Sequence, residues 1–187
     1  MTMTKKLETS LQLIDTANAD DPNNGAEALY SQRMLQTLQT FDGEASEPLT
    51  LACYAQHVCR WQLARKDYPA GLKGYLNWRS DLAKLHAEVL ADAMSKAGYA
   101  EQDIDRAKHI IQKKKLKTDQ ESQTLEDVSC LVFLNHYFDD FAAKHNDEKV
   151  IDIVRKTWAK MSAKGHQAAL NLTLPEHLQA LVTKALG

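Results

Sequence analysis

The chain has 187 residues, 44% apolar and 26% charged, which suits one soluble domain with a full core and is short for two. Its 23 basic and 25 acidic side chains give a formal net charge of −2, so no global basic surplus calls for a polynucleotide or an anionic membrane. Cys53, Cys59 and Cys130 lack CxxC spacing, which speaks against a disulfide framework or zinc ribbon, and no apolar run is long enough to span a bilayer.

The opening stretch MTMTKKLETS lacks the apolar segment of a secretory signal, so a cytoplasmic protein with reduced thiols is expected. Only 7 Gly and 4 Pro punctuate the chain, and the apolar spacing has a period of three to four, which predicts an all-α protein of about seven main helices. A short first helix over 7–18 ends in the polar turn 19–25, and a second over 26–41 turns Leu29, Tyr30, Met34, Leu38 and Phe41 inward. The third runs over 47–61. An irregular, aromatic and basic stretch follows over 62–75, of the kind that often carries function.

The fourth helix, 76–97, is closed by Gly98, and the fifth spans 101–114. The sixth, 121–144, carries the densest apolar run, from Val128 to Phe141, and should be central. A seventh covers 148–162 with Ile151, Val154, Trp158 and Met161 on one side, and Pro175 opens a last short helix. No internal repeat and no Pro-, Gly- or Ser-rich linker interrupts a single domain over 1–187.

Three polar residues stand on the apolar stripes of different predicted helices. His57 shares a face with Cys53, Tyr54, Arg60 and Trp61; His86 lies among Leu82, Val89 and Leu90; Asp127 precedes Cys130, Leu131 and Leu134. A buried ionisable group needs a partner, a shifted pKa or a metal. Two imidazoles and a carboxylate suit zinc, iron or manganese, so His57, His86 and Asp127 are candidate metal ligands, with Glu126 supporting Asp127. The same residues also fit a set of hydrogen-bonded core groups.

The helix order around them resembles the HD-domain superfamily of metal-dependent phosphohydrolases, in which histidines, a His-Asp pair and a later aspartate bind metal within a helical bundle. The similarity covers about residues 26–140, with helices 148–187 expected to pack on that core. Val58 stands where the pair's aspartate belongs, Tyr30 takes the place of the first histidine, and the chain reads Lys113-Lys114-Lys115 around the place of the usual later one. A second resemblance spans nearly the whole chain. The strings Asp21-Pro22-Asn23, Gln56-His57-Val58-Cys59-Arg60-Trp61, Gly74-Tyr75-Leu76-Asn77-Trp78-Arg79, Leu125-Glu126-Asp127-Val128-Ser129-Cys130 and Lys156-Thr157-Trp158-Ala159-Lys160-Met161 resemble the family called domain of unknown function 4202. Members are sometimes labelled glutamyl-tRNA-synthetase-like, but this chain has neither nucleotide-binding signatures nor the length of a synthetase.

Groups suited to an anion surround the candidate site: Arg60, Arg65, Arg33, Tyr30 and the run Lys113-Lys114-Lys115-Leu116-Lys117. Arginine holds phosphate at two points and lysine adds a mobile charge, while hydrated surface charge is the plain alternative. Trp78-Arg79 fits stacking on a base as well as core packing. No GxGxxG, Walker A, HExxH or GxSxG string occurs, and Cys59 reads as a structural thiol.

Three functions follow as expectations. The first is a metal-dependent hydrolase of a phosphorylated metabolite or nucleotide, with Asp127, Glu126 and Arg60 as its catalytic groups. The second is a non-catalytic anion- or nucleotide-binding module on the same fold. The third is a helical interaction protein.

Overall fold

The computed structural model describes residues 2–187, and its helices begin where the sequence supplies caps. Thr4 Oγ1 accepts the Leu7 N–H at 3.2 Å and opens α1 (Lys5–Asn18). Asn24 and Gly25 turn the chain at φ of 57° and 75°, and the Asp21 carboxylate takes the N–H groups of Asn23 and Glu27 at 2.8 and 2.9 Å, starting α2 (Ala26–Phe41). Ser46 caps α3 (Glu47–Tyr54) by accepting the Leu49 N–H, with Pro48 in the first turn. The remaining helices are α4 (Gly71–Lys96), α5 (Glu101–Ile111), α6 (Gln120–Val132), α7 (Phe138–Ala143), α8 (Asp147–Lys160), α9 (Ala163–Leu170) and α10 (Glu176–Leu186). Among the described residues there are ten α-helices and no strand. None of them is long and apolar enough to cross a membrane.

The all-α class stands, and the difference in helix number has physical causes. The third predicted helix stops at Tyr54, because the chain turns before Arg60. The fourth starts five residues early, at Gly71. Gly74, read from sequence as a loop residue, is helical and lies against the preceding loop: a Cβ there would sit 1.8 Å from the Pro69 carbonyl oxygen. The sixth is divided by a π-helical turn, Phe133–Tyr137. That wider turn lets residues five apart meet, so the Phe133 ring lies 5.9 Å from Phe138 and also contacts Phe141. Helix α9 was not expected, since it is only 8 residues long and carries Gly165 in its first turn; Ser162 Oγ caps it by accepting the Gly165 N–H at 3.1 Å.

Backbone contacts divide the chain into two compact units, Met1–Leu125 and Glu126–Gly187, the division falling within α6. In the first unit α3 packs against α1, α2 and α5, while α4 packs against α1 and α5. Its core holds Ile14, Met34, Leu38, Leu51, Leu90 and Ile110, all at 1% exposure or less. Each such side chain contributes about 1.5–3 kcal/mol through burial. The turn after α5 is clamped by charge: Arg106 pairs with Asp119 at 2.5 Å and Glu121 at 2.7 Å, and His109 Nε2 stands 3.1 Å from Asp119. In the second unit α10 packs on α7 and α8 around Phe138, Val150, Val154 and Leu178.

Candidate functional site

The candidate site starts from the turn that ends α3. Successive turn bonds run from the Gln56, Val58 and Arg60 N–H groups to the Cys53, Ala55 and His57 carbonyls. Cys59 then adopts φ 56°, a left-handed conformation uncommon outside glycine. Two contacts hold it there: its N–H donates to Asn18 Oδ1 at 3.0 Å, and its thiol donates to the Ala17 carbonyl at 3.3 Å. Burial, with a smaller effect of Glu27, pushes that thiol up, which fits its structural role. His57 therefore belongs to a turn rather than a helix face. The turn nevertheless places it beside Arg60.

The His57 ring stacks on Tyr30, with centroids 3.8 Å apart and planes within 9°. Arg60 Nη1 lies 3.0 Å from its Nε2 and 3.5 Å from its Nδ1, and Nδ1 stands 3.8 Å from Glu27 Oε2. Burial first, and then the charges of Arg60, His86, Arg79 and Lys113, hold His57 well below the usual imidazole range. Burial likewise lifts the Glu27 carboxyl to about 7, with Asp21 reinforcing the rise and Arg60 opposing it. The Arg60 guanidinium lies over the Trp78 ring at 5.3 Å, and burial together with Arg79 lowers its proton affinity.

His86 is fixed from the other side. Its Nδ1 lies 2.7 Å from the Val58 carbonyl oxygen, which can only accept, so Nδ1 carries the proton and the lone pair falls on Nε2. Burial pushes this imidazole down to about 4; the carbonyl bond works against that shift, and Arg60 and Arg79 add to it. The two histidine rings stand 6.3 Å apart.

A pocket of about 260 Å³ opens between these groups, lined among others by His57, Arg60, Arg79, His86, Gln112 and Lys113. None of its lining residues is acidic. Lys113 reaches it from a turn in which Lys113 and Lys115 both adopt φ 53°. Two arginines and a lysine thus line one hollow beside two imidazoles.

Of the residues singled out from sequence, this pocket gathers His57, His86, Arg60 and Lys113, with Tyr30 stacked behind His57. Arg33 and Lys114 are not among its lining residues. Arg65 serves the loop before α4, donating to the carbonyls of Tyr68, Pro69 and Gly71 at 3.3, 3.0 and 3.4 Å. Asp127 belongs to the second unit. There its carboxylate accepts the Ser162 N–H at 2.8 Å and also the Ser162 hydroxyl, at the entrance to α9. The Gly165 backbone comes so close that a Cβ would lie 2.6 Å from Asp127 Oδ1. Glu126, also buried, accepts a weak bond from the Cys130 thiol at 3.8 Å.

Among the described residues, no group of three or more His, Cys, Asp or Glu side chains is placed to hold a metal ion. The donors thus do not fit the expected three-ligand centre: His57 Nε2 engages Arg60, and Asp127 engages Ser162. Sequence reasoning passed over Gln112 and Glu27 as site residues and weighed Arg79 only beside Trp78, as a group to stack on a base. Arg79 carried a usable signal, since it lies seven positions before His86 on the same helix face.

No curated protein and no solved structure matches the chain. One family model does, over residues 8–182, and its description is a domain of unknown function. With the match extending over nearly the whole length, from α1 into α10, the chain belongs to the DUF4202 family.

Proposed function

We propose that the chain binds a phosphorylated small molecule or nucleotide in the pocket of its first unit, and that this pocket is a degenerate HD-like site. The observation that carries the reading is the gathering of Arg60, Arg79 and Lys113 around one hollow whose lining contains no carboxylate. Burial first, and then the charge of Arg79, lower the proton affinity of Arg60, with Glu27 opposing. A bound anion offsets the charge of Arg79. The volume of about 260 Å³ suits a phosphate-bearing group better than a long polymer.

In the HD comparison, Val58 replaces a ligand and its carbonyl orients His86, while Tyr30 replaces a second ligand and stacks on His57. An anion site in place of a metal site follows from those exchanges. Stoichiometric zinc, iron or manganese, retained after reconstitution of untagged protein and lost with His57→Ala, would restore the metal-dependent hydrolase reading.

Calorimetric titration with pyrophosphate and adenosine monophosphate tests the proposal. Arg79→Gln and Lys113→Gln should each weaken binding by about tenfold or more, the equivalent of one charge-assisted hydrogen bond. Affinity should fall with added salt. Absence of heat and of thermal stabilisation with both ligands would refute it.

A further inference from the structure

The pocket holds one group that anion binding alone does not require. His86 is a buried imidazole whose tautomer is set by the Val58 carbonyl, 2.7 Å from Nδ1. Fixing the proton on Nδ1 leaves Nε2 as the basic, nucleophilic nitrogen. This nitrogen belongs to a side chain lining the same hollow as Arg60, Arg79 and Lys113. A solvent-facing histidine would sample both tautomers and both charge states, whereas this one presents a single form.

We infer that His86 Nε2 is the nucleophile of a metal-independent phosphoryl transfer whose substrate is a phosphoanhydride or acyl phosphate. The inference rests on the anion-binding reading and adds a reaction to it. In the first step the Nε2 lone pair forms an N–P bond while the bridging P–O bond breaks. The bonding pair leaves with the oxygen of the departing phosphate or carboxylate. In the second step a water oxygen forms a bond to phosphorus, the N–P bond breaks, and its electron pair returns to Nε2. Inorganic phosphate leaves with the oxygen of that water, whose two protons pass to phosphate and solvent. No oxidant, reductant or metal enters either step.

The lining also selects the substrate class. Cleaving a simple phosphate ester expels an alkoxide, which needs a proton from a nearby acid. The lining holds no carboxylic acid to supply one. An anhydride expels phosphate or carboxylate, which is already stable as an anion. The guanidinium groups of Arg60 and Arg79 and the Lys113 ammonium then face the charge that develops on the equatorial and leaving oxygens.

The test incubates the full chain, with a chelator present, with adenosine triphosphate, pyrophosphate and acetyl phosphate. Rapid quenching into base followed by peptide mapping should find one acid-labile phosphoryl group on His86 in the wild-type protein. His86→Asn should lose both label and phosphate release. Mapping of the label on the wild-type protein is independent of whether the variant folds. A label on another residue, or turnover persisting in a folded His86→Asn protein, overturns the inference. Pyrophosphate binding without label or turnover in the wild type also overturns it and leaves the binding reading standing. Absence of pyrophosphate binding overturns both.

Discussion

Replacing Glu27 by glutamine isolates the electrostatics beneath the pocket. The Glu27 side chain is 14% exposed and lies 3.8 Å from His57 Nδ1, and burial lifts its carboxyl from an ordinary 4.5 to about 7. The folded chain therefore binds a proton at Glu27 over a range where the unfolded chain has released it. Stability from the neutral carboxyl is complete below about pH 4.5 and is lost as pH rises toward 7. The displacement corresponds to about 3 kcal/mol at most, since relaxation and water entry reduce it.

Glutamine mimics the neutral acid, so Glu27→Gln should match wild type near pH 4 and become more stable by up to about 3 kcal/mol near pH 8. His86 has the opposite linkage. Its value of about 4 lies below the ordinary 6.5, so it destabilises the fold as pH drops through that interval. Because His86 titrates in both proteins, it cancels in the difference. Urea unfolding followed by tryptophan fluorescence, at a series of pH values, measures that difference directly. A constant difference between the two proteins from acid to alkaline pH would refute the reasoning.

Gly74→Ala should cost about 1–3 kcal/mol or more by forcing α4 away from the Pro69 carbonyl, read as a drop in Tm; an unchanged Tm would show that the loop yields freely. Asp127→Ala should cost about 2–4 kcal/mol, because the Ser162 N–H and hydroxyl lose their acceptor, and hydrogen exchange should speed up in α9 first. Asp119 is held well below the usual carboxylate range by Arg106, so Asp119→Asn should lose stability at neutral pH and progressively less as pH falls below about 3.8. The same urea titration reads that convergence.

Helical class and most element positions were legible from the amphipathic period, and the structure adds caps that agree with it: Thr4, Ser46 and Asn146 each precede a helix and accept a bond from its first turn. The turn at Cys59 was not legible, since its left-handed backbone depends on Asn18, distant in sequence. Gly74 misled for a related reason. It reads as a loop residue but answers to a tertiary contact with Pro69.

At the site, the period of three to four brought His57 and Arg60 together on paper, and a turn brings them together in fact. His86 was found because a polar residue on an apolar stripe demands a partner, which proved to be the Val58 carbonyl. Asp127 raised the same signal for a different reason, being buried to hold Ser162, the residue that caps α9. Burial marks a polar residue as constrained, but the purpose of the constraint is fixed by partners that only tertiary structure supplies.

Diffraction from crystals soaked in tungstate, a heavy analogue of phosphate, tests the anion site most directly. An anomalous peak within hydrogen-bonding reach of Arg60, Arg79 and Lys113 is the predicted result. A saturated soak that leaves the hollow empty, or places the anion away from all three cations, would contradict it.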